Sequence, residues 1–296
     1  MIPVYLTKIK TRDGLALEGI IVEPRKKDKN KTALIWLHGL SSKFSSGQTL
    51  IKELSGMCRK SGLGYFKFNN RGHDVADFED IGLIGAGFEK FTDCVLDIRA
   101  MILFAKSLGY KNIILTGHST GANKALYYVY KTKDRIVKKL VLLGPISDIA
   151  ALIKEVGRKE LDRRVKIAQE IKNKNPKTLV PMDFGLYSAG RYLSLSKPGT
   201  PEDVFPYHNP QGSWKELKSV KIPVAVIFGQ RDQHLDRPAK KLVEIFAEKA
   251  ASTKSFSGVI IKGANHGFHK KEKEVSLEMV KFITGSEEKD KNLFYI

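Results

Sequence analysis

The sequence predicts the α/β class: a mostly parallel central sheet of about eight strands, helices on both faces, and one inserted segment. Three observations lead there. Compact apolar runs of four or five residues recur along the chain, helix-length stretches with 3.6-residue apolar spacing fall between them, and one run leads through a Gly-x-Ser-x-Gly turn into a helix. Runs of that kind suit strands covered on both faces, and strict alternation with helices implies parallel neighbours joined by crossovers.

In chain order, Val4–Lys10 and Leu15–Val22 alternate in polarity around the turn residues Arg12-Asp13-Gly14, the pattern of an antiparallel hairpin. The basic stretch Pro24–Lys31 reads as a surface loop. Buried strands are expected at Ala33–Leu37, Gly64–Phe68, Ile113–Thr116, Leu140–Leu143, Val224–Phe228 and Gly258–Ile261. Helices are expected at Gly47–Lys60, Phe88–Leu108, Ala122–Tyr130, Pro238–Lys249 and Lys271–Ile283. The alternation pauses between Ser147 and Lys221, where a charged amphipathic helix from Asp148 to about Asn173 precedes a Pro-, Gly- and Tyr-rich stretch. Residues 147–221 are therefore expected to form an inserted cap, with 1–146 and 222–296 as the core.

Composition narrows the function classes. With 296 residues, 42% of them hydrophobic and 28% charged, the chain has material for one large buried sheet. No apolar stretch reaches the length of a membrane span, and the opening residues lack the basic-then-apolar pattern of a secretory leader, so a cytoplasmic location is expected. Cys58 and Cys94 have neither metal-ligand nor disulfide-framework spacing and read as small buried residues. The formal charge of +19 comes from lysines spread along the whole chain, which argues against a nucleic-acid groove and for a solvated basic surface. Phosphate-loop and dinucleotide fingerprints are missing from the first strand-helix turn, and the seven histidines show no metal-binding pairing; no cofactor and no metal are expected.

The turn Gly117-His118-Ser119-Thr120-Gly121 follows a strand and opens a helix. Such a turn strains the central residue so that its hydroxyl projects clear, and glycines two positions either side relieve backbone crowding. Ser119 is the candidate nucleophile, and the Thr120 N–H, at the positive end of the helix, is a candidate oxyanion donor. The second donor is expected from the loop after the first buried strand, His38-Gly39-Leu40-Ser41, at the Leu40 N–H. His38 beside that glycine reads as a brace for the loop. A serine hydroxyl needs a base oriented by an acid. Asp232 follows one later strand and His266 the next, so three groups fall at three strand ends in the order Ser, acid, His. Asp236 is the reserve acid; His234 and His269 are reserve bases.

Carried by these residues together with Asn69-Asn70-Arg71-Gly72-His73-Asp74, the chain resembles the α/β-hydrolase superfamily over nearly its whole length. Thr120 after the nucleophile and the cap segment Ser188–Leu195 are similar to a branch that includes siderophore-ester hydrolases. The Arg71-Gly72-His73 segment is similar to feruloyl-esterase-like and monoacylglycerol-lipase-like branches, which implies a loop-shaping role for Arg71 and His73. The resemblance implies a carboxylic ester hydrolase working through a Ser119-His266-Asp232 triad and an acyl-enzyme, on a small-molecule ester. Thioester, amide and carbon-carbon hydrolysis use the same constellation; a catalytically silent scaffold or a nucleic-acid binder is the reading from another class. In the cap, Phe184, Tyr187, Tyr192, Phe205, Tyr207 and Trp214 are candidates to line the pocket, while Arg158, Arg163, Arg164 and Arg191 are expected in solvent.

Overall fold

The computed structural model describes residues 2–25, 31–209, 211–285 and 294–295. Most of the expected loop at 24–31, and most of the charged tail from Ser286, lie outside the described residues.

The hairpin forms as β1 (Tyr5–Lys10) and β2 (Ala16–Val22), joined by a turn in which Thr11 Oγ1 donates to Asp13 and accepts from Leu15 N–H. The buried strands are β3 (Thr32–Leu37), β4 (Leu63–Phe68), β7 (Asn112–His118), β8 (Val137–Leu143), β9 (Val224–Gly229) and β10 (Phe256–Ile261). A two-residue strand, β11 (Phe294–Tyr295), pairs parallel with β10. Among the described residues the sheet has nine strands in the order β1-β2-β4-β3-β7-β8-β9-β10-β11, antiparallel only where β1 meets β2 and β2 meets β4. A separate hairpin of β5 (Asp77–Glu79) and β6 (Gly82–Ile84), unexpected from the sequence, follows β4.

Side chains alternate across the sheet as strand geometry requires. Ala33, Ile35 and Leu37 of β3 pack with α2 (Cys94–Ser107), α3 (Thr120–Thr132) and α8 (Ala239–Lys249) on one face. Leu34 and Trp36 pack with α1 (Gln48–Lys60) and α9 (Glu272–Thr284) on the other. Burying each such side chain is worth about 1.5–3 kcal/mol, which is why continuous apolar runs belong at the centre of a two-faced sheet.

Two helices differ from expectation. The stretch from Asp148 is two helices, α4 (Asp148–Val156) and α5 (Arg158–Lys174), separated at Gly157. Gly157 has φ 82° and ψ 154°, a conformation that breaks the helical ladder and is open in practice to glycine alone. The helix expected from Phe88 starts later: 85–90 turn on bonds from Phe88 N–H and Glu89 N–H to Gly85 O, a 3₁₀ turn covers Phe91–Asp93, and α2 begins at Cys94.

Between β8 and β9 the chain also forms a 3₁₀ turn at Met182–Phe184, α6 (Ala189–Ser196) and α7 (Lys215–Lys218). Ser188 caps α6 by accepting from Arg191 N–H. This segment has a small apolar cluster of its own around Ala168, Val180, Phe184, Tyr192 and Leu193. Phe205, Tyr207 and Trp214 instead pack round Phe246 of α8.

Arg191 is a correction. Expected in solvent, it is fully enclosed, because its guanidinium bonds to Glu202, to Glu89 at 3.0 Å and to Ala86 O at 2.9 Å. Glu89 also receives Lys124 of α3 at 2.6 Å. A buried four-charge cluster thus ties α6 to the helix that follows Ser119. Among the described residues no helix is long and apolar enough to cross a membrane.

Candidate active site

Ser119 stands between β7 and α3 with φ 57° and ψ −130°, a strained conformation for a residue with a Cβ. The flanking glycines are explained by distance. A Cβ on Gly117 would lie 2.1 Å from Gly121 O, and one on Gly121 would lie 2.3 Å from Leu37 O. Ser119 makes no side-chain capping bond to α3, so its hydroxyl is not spent on the helix it precedes. Its backbone N–H donates to Leu143 O at 2.9 Å, which anchors the turn to β8.

His266 Nδ1 lies 2.7 Å from Asp232 Oδ2, and Asp232 Oδ1 accepts from His234 N–H at 2.9 Å. Asp232 and the His266 ring are almost wholly enclosed. With Nδ1–H donating to the carboxylate, the imidazole keeps Nε2 for another partner. Gly144, at the end of β8, makes room for the pair: a Cβ there would lie 3.1 Å from His266 Cε1 and 3.4 Å from Asp232 Oδ2.

Ser119 and His266 line one cavity of about 470 Å³, together with Leu40 and Thr120. Among the described residues neither the Leu40 N–H nor the Thr120 N–H makes a turn, loop or cap bond to a backbone carbonyl. Two unspent donors flanking a projecting hydroxyl are what an oxyanion site requires. The cavity's outer wall comes from the segment between β8 and β9, through Leu152, Phe184, Tyr187 and Tyr192. Of the six aromatic candidates, Phe184, Tyr187 and Tyr192 line it; Phe205, Tyr207 and Trp214 do not.

His38 Nε2 accepts from Asn70 N–H at 3.0 Å while its Nδ1 sits 2.9 Å from Gly39 O, so the ring fastens the Leu40 loop to the strand-end loop after β4. Burial holds His38 well below the usual histidine range, in its neutral form. Asp236 pairs with Arg237 at 2.6 Å, away from the cavity. His269 bonds Asn265 at 3.0 Å and faces a different cavity. His234 does line the cavity, its ring 4.6 Å from that of His266, and partial desolvation together with the nearby His266 lowers its pKa. Arg71 is held by Asp97 at 2.7 Å and Asp13 at 3.1 Å, and His73 by Asp74 at 3.0 Å, so both build the loop.

Sequence reasoning misses two contributors. His118, the variable residue before Ser119, approaches His266 O with Nε2 at 2.8 Å, and burial pushes its pKa down to about 3, so it serves as a neutral donor positioning the His266 loop. Asp148, in the cavity wall, is raised to about 8 by burial and then by the Glu202 carboxylate. The only sequence signal for His118 is its place inside the turn motif; Asp148 has none.

A family model described as "Protein of unknown function (DUF1749)" matches residues 81–285. The Mycoplasma genitalium protein named "Putative esterase/lipase 3" is 23% identical over 262 residues, covering 83% of this chain and 84% of that protein. The structure of the Pyrococcus furiosus esterase Pf2001 superposes with a TM-score of 0.62 at 18% identity, over 96% of this chain and 91% of that one. Est1E from Butyrivibrio proteoclasticus, solved with ferulic acid bound, gives 0.64 at 18% identity over 94% and 98%. These likenesses establish the α/β-hydrolase fold.

Proposed function

The chain belongs to the family described as "Protein of unknown function (DUF1749)", and from that membership and the cavity around Ser119 we propose that it is a serine hydrolase cleaving a carboxylic ester through an acyl-enzyme. One observation carries the reading. A strained serine, an imidazole held at 2.7 Å by a buried carboxylate, and two unspent backbone N–H groups meet in one cavity. Relatives named as esterases support the choice of an ester.

In this reading His266 Nε2 takes the proton from Ser119 as the hydroxyl oxygen attacks the ester carbonyl carbon. The carbonyl π electrons move to oxygen, and the Leu40 and Thr120 N–H groups hold the resulting oxyanion. Collapse expels the alcohol, which leaves with the proton from His266. Water then repeats the sequence on the acyl-enzyme and releases the acid. Asp232 fixes the tautomer of His266 and stabilises its charged form. Residues 147–221 act as the cap that selects the substrate, with Phe184, Tyr187 and Tyr192 offering an apolar wall.

The test is hydrolysis of matched oxygen-ester, thioester and anilide substrates by the wild-type protein and by Ser119→Ala and His266→Ala. The proposal expects turnover greatest on oxygen esters and lost by at least about 10³-fold in both variants. Ester turnover that survives in both would refute it.

A further inference from the structure

A second cavity, of about 400 Å³, lies against the first, and Gly39, Ser42 and His118 belong to the walls of both. The loop carrying Leu40 is thus a partition, and an elongated substrate can occupy both sides of it. Trp36, Tyr65, Leu50 and Ile51 make much of the second cavity apolar. Lys67 of β4 interrupts that surface. The residue is 3% exposed, yet among the described residues it enters no ion pair; its Nζ donates to Ser46 O at 2.5 Å and lies 5.9 Å from the centre of the Trp36 ring.

A buried ammonium without a counter-ion is costly, and a lysine with a purely structural role is ordinarily paired. Burial pulls Lys67 down to about 7. A second feature of the same sign faces the cavity: α1 opens there with Gly47 at its cap and no side chain bonding the first-turn N–H groups, leaving the positive end of a thirteen-residue helix at Gln48, Thr49 and Leu50. The one carboxylate in the described lining, Glu272, is the first residue of α9 and sits in its first turn, at the positive end of that helix.

We propose that this cavity is a substrate subsite for a carboxylate carried on the far end of one arm of the ester, with Lys67 as the group that recognises it. The inference rests on the serine-hydrolase reading and names its substrate class: half-esters and other esters with a remote carboxylate, whose methylene chain runs along Trp36 and Leu50.

The experiment compares monoethyl esters of the dicarboxylic acids from succinate to suberate with their diethyl esters, and acetoxy-carboxylates with their methyl esters, adding a trimethylammonium ester as the cationic control. At a chain length that spans both cavities, one arm series should show about a tenfold or greater kcat/KM preference for the carboxylate, carried by KM, with the cationic ester the poorest. Lys67→Met should cut the carboxylate-to-neutral ratio by about ten- to hundredfold, and Lys67→Arg should retain more of it. A wild-type protein with no carboxylate preference at any length overturns the proposal without reference to any variant. Calorimetric titration of the preferred half-ester into Ser119→Ala separates the two readings. Binding that disappears in Ser119→Ala/Lys67→Met supports the subsite even if turnover is absent, whereas ester turnover with equal binding in both proteins refutes the subsite and leaves the hydrolase standing.

Discussion

Arg191→Met removes one cation from the buried cluster that ties α6 to the core. Its guanidinium bonds Glu202 through two nitrogens, Glu89 at 3.0 Å and Ala86 O at 2.9 Å, with no exposed side-chain surface. Glu89 keeps Lys124 after the change, but Glu202, 1% exposed, retains among the described side chains only the Ser194 hydroxyl at 2.7 Å. Removing one partner of a buried pair costs about 3–5 kcal/mol, because the other charge stays desolvated. An unfolding entropy of about 2.1 cal/mol/K per residue gives about 0.6 kcal/mol/K for this chain, so Tm should fall by about 5–8 °C. Differential scanning calorimetry reads this shift. A change under about 1 °C would refute the picture of a dry cluster pinning α6.

Asp232→Asn should lower kcat on the order of 10³- to 10⁴-fold with little change in KM, since the amide no longer holds the His266 tautomer; steady-state kinetics on a nitrophenyl ester reads this directly. Gly39→Ala places a Cβ 2.9 Å from Ser119 Cβ and 3.4 Å from its Oγ, so kcat should drop by about 10²-fold, and a variant with wild-type kcat would show that the loop yields freely. Asp148 is raised to about 8, so its neutral form stabilises the fold below the ordinary carboxylate range, and that contribution is lost as pH rises toward 8. Asp148→Asn should accordingly flatten the fall of Tm between pH 5 and 8.5, and thermal melts that stay parallel to wild type would count against a half-buried, protonated Asp148.

The features legible in the sequence are those set by local periodicity. Apolar runs at 33–37, 64–68, 113–116, 140–143, 224–228 and 258–261 fall in β3, β4, β7, β8, β9 and β10, because a strand buried on both faces has no polar side to blur its pattern. Ser119 is legible because its glycines are demanded by contacts of 2.1 and 2.3 Å that no larger residue permits. Asp232 and His266 are readable as strand-end residues, and the structure adds their bond at 2.7 Å. What is hidden depends on distant partners. Arg191 looks solvent-bound on a short helix, and Glu89, 102 residues earlier, joins Glu202 in making its burial tolerable. Phe205 and Trp214 are aromatic like Phe184 and Tyr187, yet Phe246 draws them into the core. The break at Gly157 is visible as a glycine, but the 3.6-residue pattern runs through it, and periodicity alone favours one long helix.

Ser119 as a nucleophile activated by His266 is tested by incubating the protein with a fluorophosphonate and locating the adduct by peptide mass spectrometry. One phosphonylated residue, Ser119, is expected, with labelling abolished in Ser119→Ala and strongly slowed in His266→Ala. An unlabelled wild-type protein, or labelling that persists in Ser119→Ala, would overturn the assignment.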